Sequence, residues 1–227
     1  TTEIYTLSLH DALPIWFKVV SKFIPPTESV TLGAQVQTTL ELLGVESLYA
    51  MLAHRPLSVI ENPKLWDVLL QFKQSGTIEK IGFSFNTLAE AHAVLSAGYI
   101  PDLVQIPFNY FDRRFVSIIK ELKAKGCEIH TRSAFLQGLF FLNPNELPSF
   151  FNPVKNLLTD IQQNYKPVEG ALLNFCINQD FIDRVVFGVN NQEQLLQNIN
   201  SINEAKPLPE LTTSIPDEIL TPSMWPK

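Results

Sequence analysis

The sequence is poor in charge and lacks the motifs that most directly identify a bound group. Charged residues make up 18% of the 227 residues, and the net charge is −6, so neither nucleic acid nor an anionic membrane is an expected partner. No apolar run reaches the ~18 to 20 residues that a membrane span requires. The chain also has no His/Asp/Glu/Cys cluster with metal-ligand spacing and no G-x-G-x-x-G after a strand. We therefore predict no metal site and no dinucleotide-binding site of the Rossmann type.

Cysteine is scarce as well, with only Cys127 and Cys176 in the whole chain. Both lie in apolar stretches and lack the C-x-x-C spacing of a redox or metal motif. We predict two reduced, buried thiols rather than a disulfide. Such cysteine usage is typical of a cytoplasmic protein, which is the location that we expect.

The first fifteen residues, TTEIYTLSLHDALPI, differ in character from the rest of the chain. They contain no Lys or Arg, and Glu3, His10 and Asp11 interrupt their apolar residues, which excludes a secretory signal. TEIYTLSL alternates like a strand, yet the whole stretch resembles the translation of a widely used sequencing adapter. We expect residues 1–15 to be a non-native leader and residues 16–227 to be the protein domain with its C-terminal tail.

From Trp16 onward, short apolar runs alternate with helical patterns. Strands are predicted at 16–23, 45–52, 78–84, 102–108, 127–133 and 183–189. Helices are predicted at 31–43, 63–74, 87–97, 114–124, 153–164, 168–178 and 192–202, the third with a Thr87/Glu90 capping box. A long loop covers 135–149, and the proline-rich tail from Lys206 is expected to be extended.

This alternation predicts a parallel α/β fold, either a doubly wound sheet or a (β/α)8 barrel. Polar residues or glycine stand at the carboxyl ends of the strands, namely Lys22, His54, Ser84, Gln105, Arg132 and Gly188. In a barrel all these ends meet on the face where barrel enzymes carry their chemistry, which favours the barrel. Because a closed barrel needs eight strands, we expect an incomplete (β/α)8 barrel that lacks its first two strand–helix units.

The strand-end residues suggest a chemistry without a metal. Lys22 and His54 end neighbouring strands ~4.8 Å apart, so the Lys could lower a neighbour's pKa while the His orients a carbonyl or passes a proton. The alternative is a snorkelling Lys and a hydrogen-bonded His at the rim. Ser84, Gln105, Ser133 and Asn198 suit an uncharged ring that bears an amide, or are ordinary loop residues. Arg132 suits an anion or a flat ring, or forms a rim salt bridge.

Six segments, in order, resemble the aldo-keto reductases from Trp16 to Lys227. They are VVSKF, LYAMLAHRP, LWDVLLQFKQSGTIEKIGFS, PDLVQIPFNYFDRR, RSAFLQGLF and VVFGVNNQEQLLQNI. The resemblance implies reduction of an aldehyde, ketone or sugar-like carbonyl by NAD(P)H. It implies no flavin, and it does not specify an oligomeric state. The catalytic residues that match the family's motifs are Lys22 and His54.

The resemblance also assigns the cofactor contacts. Ser84 and Gln105 would bind the carboxamide, and Arg132 would stack on the nicotinamide, as in one bacterial subgroup. The pyrophosphate cradle would be Ser133, Phe135, Leu136 and Gln137, and the adenosine end would be held by Gly188, Asn190, Gln194 and Asn198. The expected cofactor is NADP or NAD with NADPH slightly favoured, although Gln194 replaces a frequent Arg that pairs with the 2′-phosphate.

Two expected residues have no match in the chain. The family's proton donor is a Tyr, which together with an Asp precedes the Lys strand; Tyr5 is not in that sequence context, and neither Glu3 nor Asp11 matches the Asp. We therefore expect this chain to be an inactive fragment of a reductase. Two alternatives stay open: a non-catalytic, nucleotide-binding accessory member of the fold, and another barrel enzyme, such as an aldolase that uses Lys22 as a Schiff base.

Overall fold

The structure is a computed structural model that describes residues 17–26 and 31–226. The expected leader at residues 1–15 lies outside the described residues. The strands are β1 (Val20–Phe23), β2 (Leu48–Ala53), β3 (Ile78–Ser84), β4 (Leu103–Pro107), β5 (Glu128–Arg132) and β6 (Arg184–Val185). The helices are α1 (Leu32–Leu43), α2 (Leu57–Glu61), α3 (Lys64–Gln74), α4 (Leu88–Ser96), α5 (Val116–Ala124), α6 (Asn152–Asn164), α7 (Val168–Ile177) and α8 (Gln192–Ser201).

The six strands are parallel and follow one another in the sheet in chain order. This arrangement confirms the predicted parallel α/β class and is consistent with an incomplete (β/α)8 barrel. The described residues divide into two compact units, the first ending at Val104 and the second beginning at Gln105.

Most elements lie close to their predicted positions, but β6 is much shorter than the predicted strand 183–189. Its ladder with β5 ends with the bond from the amide of Val186 to the carbonyl of Thr131, 2.7 Å long. Two residues beyond Thr131, the chain that leaves β5 turns away from β6, because Ser133 adopts a left-handed backbone with φ 65°. Helix α2 was not predicted, and a short 3-10 helix, Leu136–Phe141, occupies part of the predicted loop.

The first unit contains a fully buried strand, β2, and helices that pack on the strands beside it. All six residues of β2 are buried, as expected for a parallel strand that is covered on both faces. Helix α4 begins at the predicted capping box: Thr87 Oγ1 accepts from the Glu90 amide at 3.2 Å, and the Glu90 carboxylate accepts from the Thr87 amide at 3.1 Å. Trp66 of α3 stacks on Phe83 of β3 with ring centroids 5.0 Å apart.

The second unit ties the C-terminal tail to the segment that follows β4. Tyr110 Oη donates to the carbonyl of Pro209 at 3.1 Å, and Arg113 donates to that of Leu211 at 2.9 Å. Leu211 and Ile219 are buried in the same apolar cluster as Tyr110. The tail is therefore packed against this segment, and it includes a short 3-10 helix, Pro222–Met224.

In the first unit an aspartate sets the start of β4 against β3. The carboxylate of Asp102 accepts from the amide of Ile81 at 3.0 Å, and its own amide donates to the Ile81 carbonyl at 2.9 Å. Lys73, in the last turn of α3, binds both carboxylate oxygens at 2.7 Å. The charge is thus satisfied by a backbone donor and by an ammonium group, and strand and helix are held together.

The second unit contains the same arrangement. Asp183, just before β6, accepts from the amide of Ile129 at 2.8 Å and donates from its own amide to the Ile129 carbonyl at 2.9 Å. Lys123, in the last turn of α5, binds the carboxylate of Asp183. We call each arrangement an Asp–Lys clamp. It fixes the register of one strand against the next.

Removal of a clamp should cost clearly more than removal of a surface ion pair. Asp102→Ala leaves the Ile81 amide and Lys73 without their acceptor, so we expect the free energy of unfolding to fall by about 2 to 3 kcal/mol. Glu121→Ala is the matched control, because Glu121 binds Lys125 at the same 2.7 Å but on the exposed face of α5; its cost should stay below about 0.5 kcal/mol. Denaturant titrations measure both, and equal losses would contradict the clamp.

Both cysteines are buried and free of disulfides, as predicted. The Cys176 thiol lies against the carbonyl of Phe108, with Sγ 3.7 Å from the oxygen. Burial raises the pKa of this thiol from 9.0 to about 12, because desolvation disfavours the thiolate.

This raised pKa predicts a loss of stability at alkaline pH. Between pH 9 and about 12 the unfolded chain loses the Cys176 proton and the folded chain keeps it, so the free energy of unfolding falls as the pH rises. The slope is at most ~1.4 kcal/mol per pH unit. Cys176→Ala should remove this part of the slope, measured by denaturant titration between pH 8 and 11. Parallel profiles for the two proteins would show that the thiol makes no contribution.

Candidate functional site

In the first unit, β1 and β2 bring the two predicted catalytic residues to the same face of the sheet. Lys22 stands opposite Leu52 in the register, and the amide of His54 donates to the carbonyl of Phe23 at 2.9 Å. Because side chains alternate along a strand, Lys22, Leu52 and His54 share one face. Both Lys22 and His54 are exposed, so solvent and small molecules can reach them.

Ser84, on β3, lies on the same face of the sheet as Lys22 and His54. Leu52 stands opposite Gly82 and Ala53 opposite Phe83, which places Ser84 level with His54 on the same face. The Ser84 side chain is buried, with 1% exposure, and its Oγ has no hydrogen-bond partner among the described residues. A buried hydroxyl without a partner costs about 1 to 3 kcal/mol. Such an atom is a candidate contact for a bound ligand.

Gly82 allows this part of β3 to approach its neighbour. A Cβ at position 82 would lie 1.7 Å from the carbonyl oxygen of Leu103, a distance that no side chain can adopt. The glycine of the IGFS stretch is therefore required by backbone packing. It positions Ser84, two residues further along the strand.

In the second unit the predicted contacts begin on β4 and β5. Gln105 is buried within β4, with 6% exposure. Arg132 is the last residue of β5 and half-buried, and its guanidinium donates to Ser133 Oγ at 3.3 Å. The carbonyl of Arg132 accepts from the amide of Phe108 at 3.0 Å. Arg132 therefore presents a positive charge at the carboxyl end of β5.

The segment after β5 has an uncommon backbone. Ser133, Leu136 and Gln137 have φ of 65°, 43° and 53°, and Gly138 follows with 83°. Non-glycine residues seldom adopt left-handed conformations, and such residues concentrate at functional sites. Leu136 is buried and Gln137 is exposed, so this turn has an anchor in the core and a polar tip.

Sequence reasoning missed Asn109, which supports this turn. Its Nδ2 donates to the carbonyl of Ser133 at 3.1 Å, and its Oδ1 accepts from the amides of Phe111 and Asp112, both at 2.9 Å. Asn109 is fully buried. The sequence signal for this role is that Asn109 is the one amide residue in the aromatic run FNYF, directly after β4.

The residues predicted for the adenosine end cluster before and on α8. Gly188, Asn190 and Gln194 are exposed, while Asn198 is buried with 8% exposure. Gln194 helps to begin the helix, because its Oε1 accepts from the Asn190 amide at 2.8 Å. An open depression on α8 is lined by Asn191, Gln192, Glu193, Leu196 and Gln197. This lining includes no positive charge.

Within residues 17–26 and 31–226, no group of three or more His, Cys, Asp or Glu side chains is placed to hold a metal ion. No helix in these ranges has the length and apolar character needed to cross a membrane.

A family model described as the aldo/keto reductase family matches residues 18–219. The chain belongs to this family. The match covers every predicted site residue, from Lys22 to Asn198, and it confirms the resemblance drawn from the six segments. Aldo-keto reductases are oxidoreductases that generally use NAD(P)H and act on small carbonyl compounds. This chain is therefore of the oxidoreductase type.

Solved structures of the family share the fold. The aldo-keto reductase AKR11C1 from Bacillus halodurans, in its holo form, matches with a TM-score of 0.68 and 18% identity over 85% of this chain and 69% of its own. Its apo form gives 0.68 and 19%, over 85% and 68% of the two chains. The thermostable aldo-keto reductase Tm1743, in complex with the inhibitor epalrestat, gives 0.58 and 15%, over 92% and 72%. No curated protein matched the chain.

The close approach at Gly82 makes a sharp test of the β3 geometry. Gly82→Ala should lower the free energy of unfolding by at least about 3 kcal/mol, because the new Cβ collides with backbone rather than with a flexible side chain. Gly33→Ala is the control: of the residues that the structure describes, its Cβ would meet only Thr31, with Oγ1 3.9 Å away, and the change should stabilise α1 by about 0.5 to 1 kcal/mol. Thermal unfolding measures both. A tolerated Gly82→Ala would refute the close approach.

Proposed function

We propose that this chain carries the Lys, His and nucleotide-binding residues of an NAD(P)H-dependent reductase that converts an aldehyde, ketone or sugar-like carbonyl to an alcohol. The observation that carries the proposal is the buried Ser84 Oγ, which has no hydrogen-bond partner within residues 17–26 and 31–226 and lies on the same face as Lys22 and His54. A carboxamide is a ligand group that would satisfy such a hydroxyl. When bound, the nicotinamide cofactor supplies the hydride.

In the first unit, Lys22 and His54 would act on the substrate's oxygen. The Lys22 ammonium favours the negative charge that develops near it and lowers the pKa of a neighbouring proton donor. His54 orients the carbonyl through a ring N–H. Ser84 Oγ binds the carboxamide and holds the ring in place.

In the second unit, the proposed roles concern the rest of the cofactor. Gln105 offers its amide to the carboxamide, and Arg132 stacks as a cation on the nicotinamide ring. The left-handed turn holds the pyrophosphate with Ser133, Phe135, Leu136 and Gln137. The uncommon backbone of the turn and the Arg132 guanidinium beside it support this role.

The adenosine end is proposed to involve Gly188, Asn190, Gln194 and Asn198. The preference for NADPH over NADH is proposed to be weak. Gln194 is neutral and its Oε1 accepts from the Asn190 amide just before α8, and the charged residue of the nearby depression is Glu193. A 2′-phosphate would therefore gain little Coulombic attraction there.

We also propose that this chain does not turn over by itself. No Tyr of the sequence matches the family's proton-donor context, and general acid catalysis is worth ~10² to 10⁴ in rate. The same observation favours a second candidate, a non-catalytic nucleotide-binding member of the family. An assay with NADPH and a generic aldehyde tests whether this chain lacks turnover. Turnover at the rate of a complete reductase would contradict the proposed inactivity. We also propose a cytoplasmic location, which the two buried cysteines without a disulfide support.

Ser84 provides a test in which stability and binding change in opposite directions. Ser84→Ala removes a hydroxyl without a partner, so the unliganded chain should become about 1 kcal/mol more stable. The same change removes the carboxamide contact, so NADPH and NADH should each bind roughly ten-fold more weakly. Cofactor fluorescence titration gives both dissociation constants, and denaturant titration gives the stability. In the parent chain the two constants should differ by less than about ten-fold.

Ser58→Ala is the matched control. Ser58 is also buried, but its Oγ donates to the carbonyl of Arg55 at 2.7 Å, so its removal should destabilise the chain and leave cofactor affinity unchanged. If Ser84→Ala is stabilising and binds the cofactor as tightly as the parent, the assignment of Ser84 is wrong. If the parent chain binds neither dinucleotide, the proposed function itself fails.

A further inference from the structure

The segment after β4, residues 109–114, contacts two other parts of the second unit. Toward the turn after β5, residues 133–138, Asn109 Nδ2 donates to the carbonyl of Ser133 at 3.1 Å. Toward the C-terminal tail, residues 206–226, its tyrosine and arginine side chains donate to backbone carbonyls. We call residues 109–114 the post-β4 segment and residues 133–138 the left-handed turn. One short segment therefore holds both the turn and the tail.

Three side chains of the post-β4 segment hold the tail by its backbone. The pairs of donor residue and carbonyl residue are Tyr110 with Pro209 at 3.1 Å, Arg113 with Leu211 at 2.9 Å, and Arg114 with Leu220 at 3.2 Å. Because backbone carbonyls accept all three hydrogen bonds, these bonds fix the path of the tail chain itself. They are spread over tail residues 209–220, so the tail is held at more than one point.

Asp112 connects the tail contacts to the turn contact. Its side chain is 1% exposed, and its two carboxylate oxygens accept from Nε and Nη2 of Arg114, both at 2.9 Å. Its backbone amide donates to Asn109 Oδ1 at 2.9 Å, and its carbonyl accepts from the Asn109 amide at 3.0 Å. Arg114, which binds the tail, is thus linked through Asp112 to Asn109, which binds the Ser133 carbonyl.

The tail and the left-handed turn also share one apolar cluster. Leu136 of the turn has a φ of 43° and is 1% exposed. The same cluster contains four buried tail residues, Leu211, Ile215, Ile219 and Leu220. A backbone in a sparsely populated conformation persists only where its surroundings hold it in place. The buried tail residues are part of the surroundings that hold Leu136.

We propose that the docked tail is a positioning element for the left-handed turn, so that tail docking and dinucleotide binding favour each other. This inference rests on the proposed role of the turn in holding the pyrophosphate of the cofactor. A dinucleotide that binds the turn in this conformation stabilises the docked tail. Because binding linkage is reciprocal, the docked tail strengthens dinucleotide binding by the same factor, which for such couplings is typically about 5- to 150-fold.

Hydrogen exchange of the full chain, with and without NADPH, measures this coupling. The tail reporters are the amides of Ile219 and Leu220, which both donate to the carbonyl of Pro216. Saturating NADPH should slow their exchange at least about five-fold. The matched reporters are the amides of Ala97 and Gly98 at the end of α4 in the first unit, whose exchange should stay the same. NADPH that binds without slowing tail exchange, or that slows all four amides equally, overturns the inference.

Arg114→Lys tests the route of the coupling. A lysine keeps the charge, but its compact ammonium lacks the planar fork that binds both Asp112 oxygens and the Leu220 carbonyl. The amides of Leu136 and Gly138 close the left-handed turn with hydrogen bonds of 2.9 and 2.8 Å. Without any ligand they should exchange at least about five-fold faster in the variant, because hydrogen bonds of a charged group that hold the turn are lost.

Arg184→Lys is the matched control. It makes the same chemical change in the same unit, at an exposed residue whose guanidinium donates to the carbonyl of Asp183 at 2.9 Å. Turn exchange should match the parent in this control, and NADPH should slow tail exchange less in Arg114→Lys than in the parent. Equal turn exchange in Arg114→Lys and the parent, or equal acceleration in both variants, contradicts the proposed route.

Two features keep these tests decisive. The comparison with and without NADPH uses the parent chain, so it needs no variant to fold; far-ultraviolet circular dichroism checks the two variants. Failure of the proposed function has its own signature, because the parent chain then binds neither NADPH nor NADH in the fluorescence titration. A parent chain that binds NADPH while its tail exchange stays unchanged refutes the positioning role of the tail alone.

Discussion

The structure depends on how parallel strands are kept in register without hairpins. Asp102 and Asp183 each stand directly before a strand and exchange two hydrogen bonds with the backbone of the neighbouring strand. A lysine from the last turn of a helix then neutralises each carboxylate. A slip of one residue would turn every side chain to the other face of the sheet. The clamps therefore decide which residues reach the strand ends in a usable orientation.

Each unit contains candidate site residues that cost stability in the unliganded chain. In the first unit, the buried Ser84 hydroxyl has no partner in the part of the chain that the structure describes. In the second unit, the turn after β5 holds three non-glycine residues in left-handed conformations. These costs are tolerated because the surroundings are rigid: Gly82 lets β3 lie close to Leu103, and Asn109 supports the Ser133 carbonyl. A ligand that forms a hydrogen bond with Ser84 Oγ would recover part of the free energy lost by burying this hydroxyl.

Much of this molecule could be predicted from sequence because the signals are local. The Thr87/Glu90 capping box, the alternation of strands and helices, and the two buried thiols all lie within short windows and are present as predicted. The family resemblance followed from six segments in order, and the match over residues 18–219 confirms it. The roles of Lys22 and His54 remain predictions, since the structure shows their shared face but not their action.

The sequence by itself determined the order of the elements, their caps and the residue types at the strand ends, because these depend on neighbours in the chain. Only the tertiary structure decided the rest. The length of β6 depends on where β5 turns away, and the lack of a partner for Ser84 depends on which side chains fold around it. Helix α8 was predicted as a helix, yet its Leu195, Leu196 and Ile199 lie exposed, because the close approach of Gly170 to the carbonyl of Ser201 leaves room on the packed side only for small and polar groups. Contacts between residues distant in the chain decide such features, and periodicity does not record those contacts.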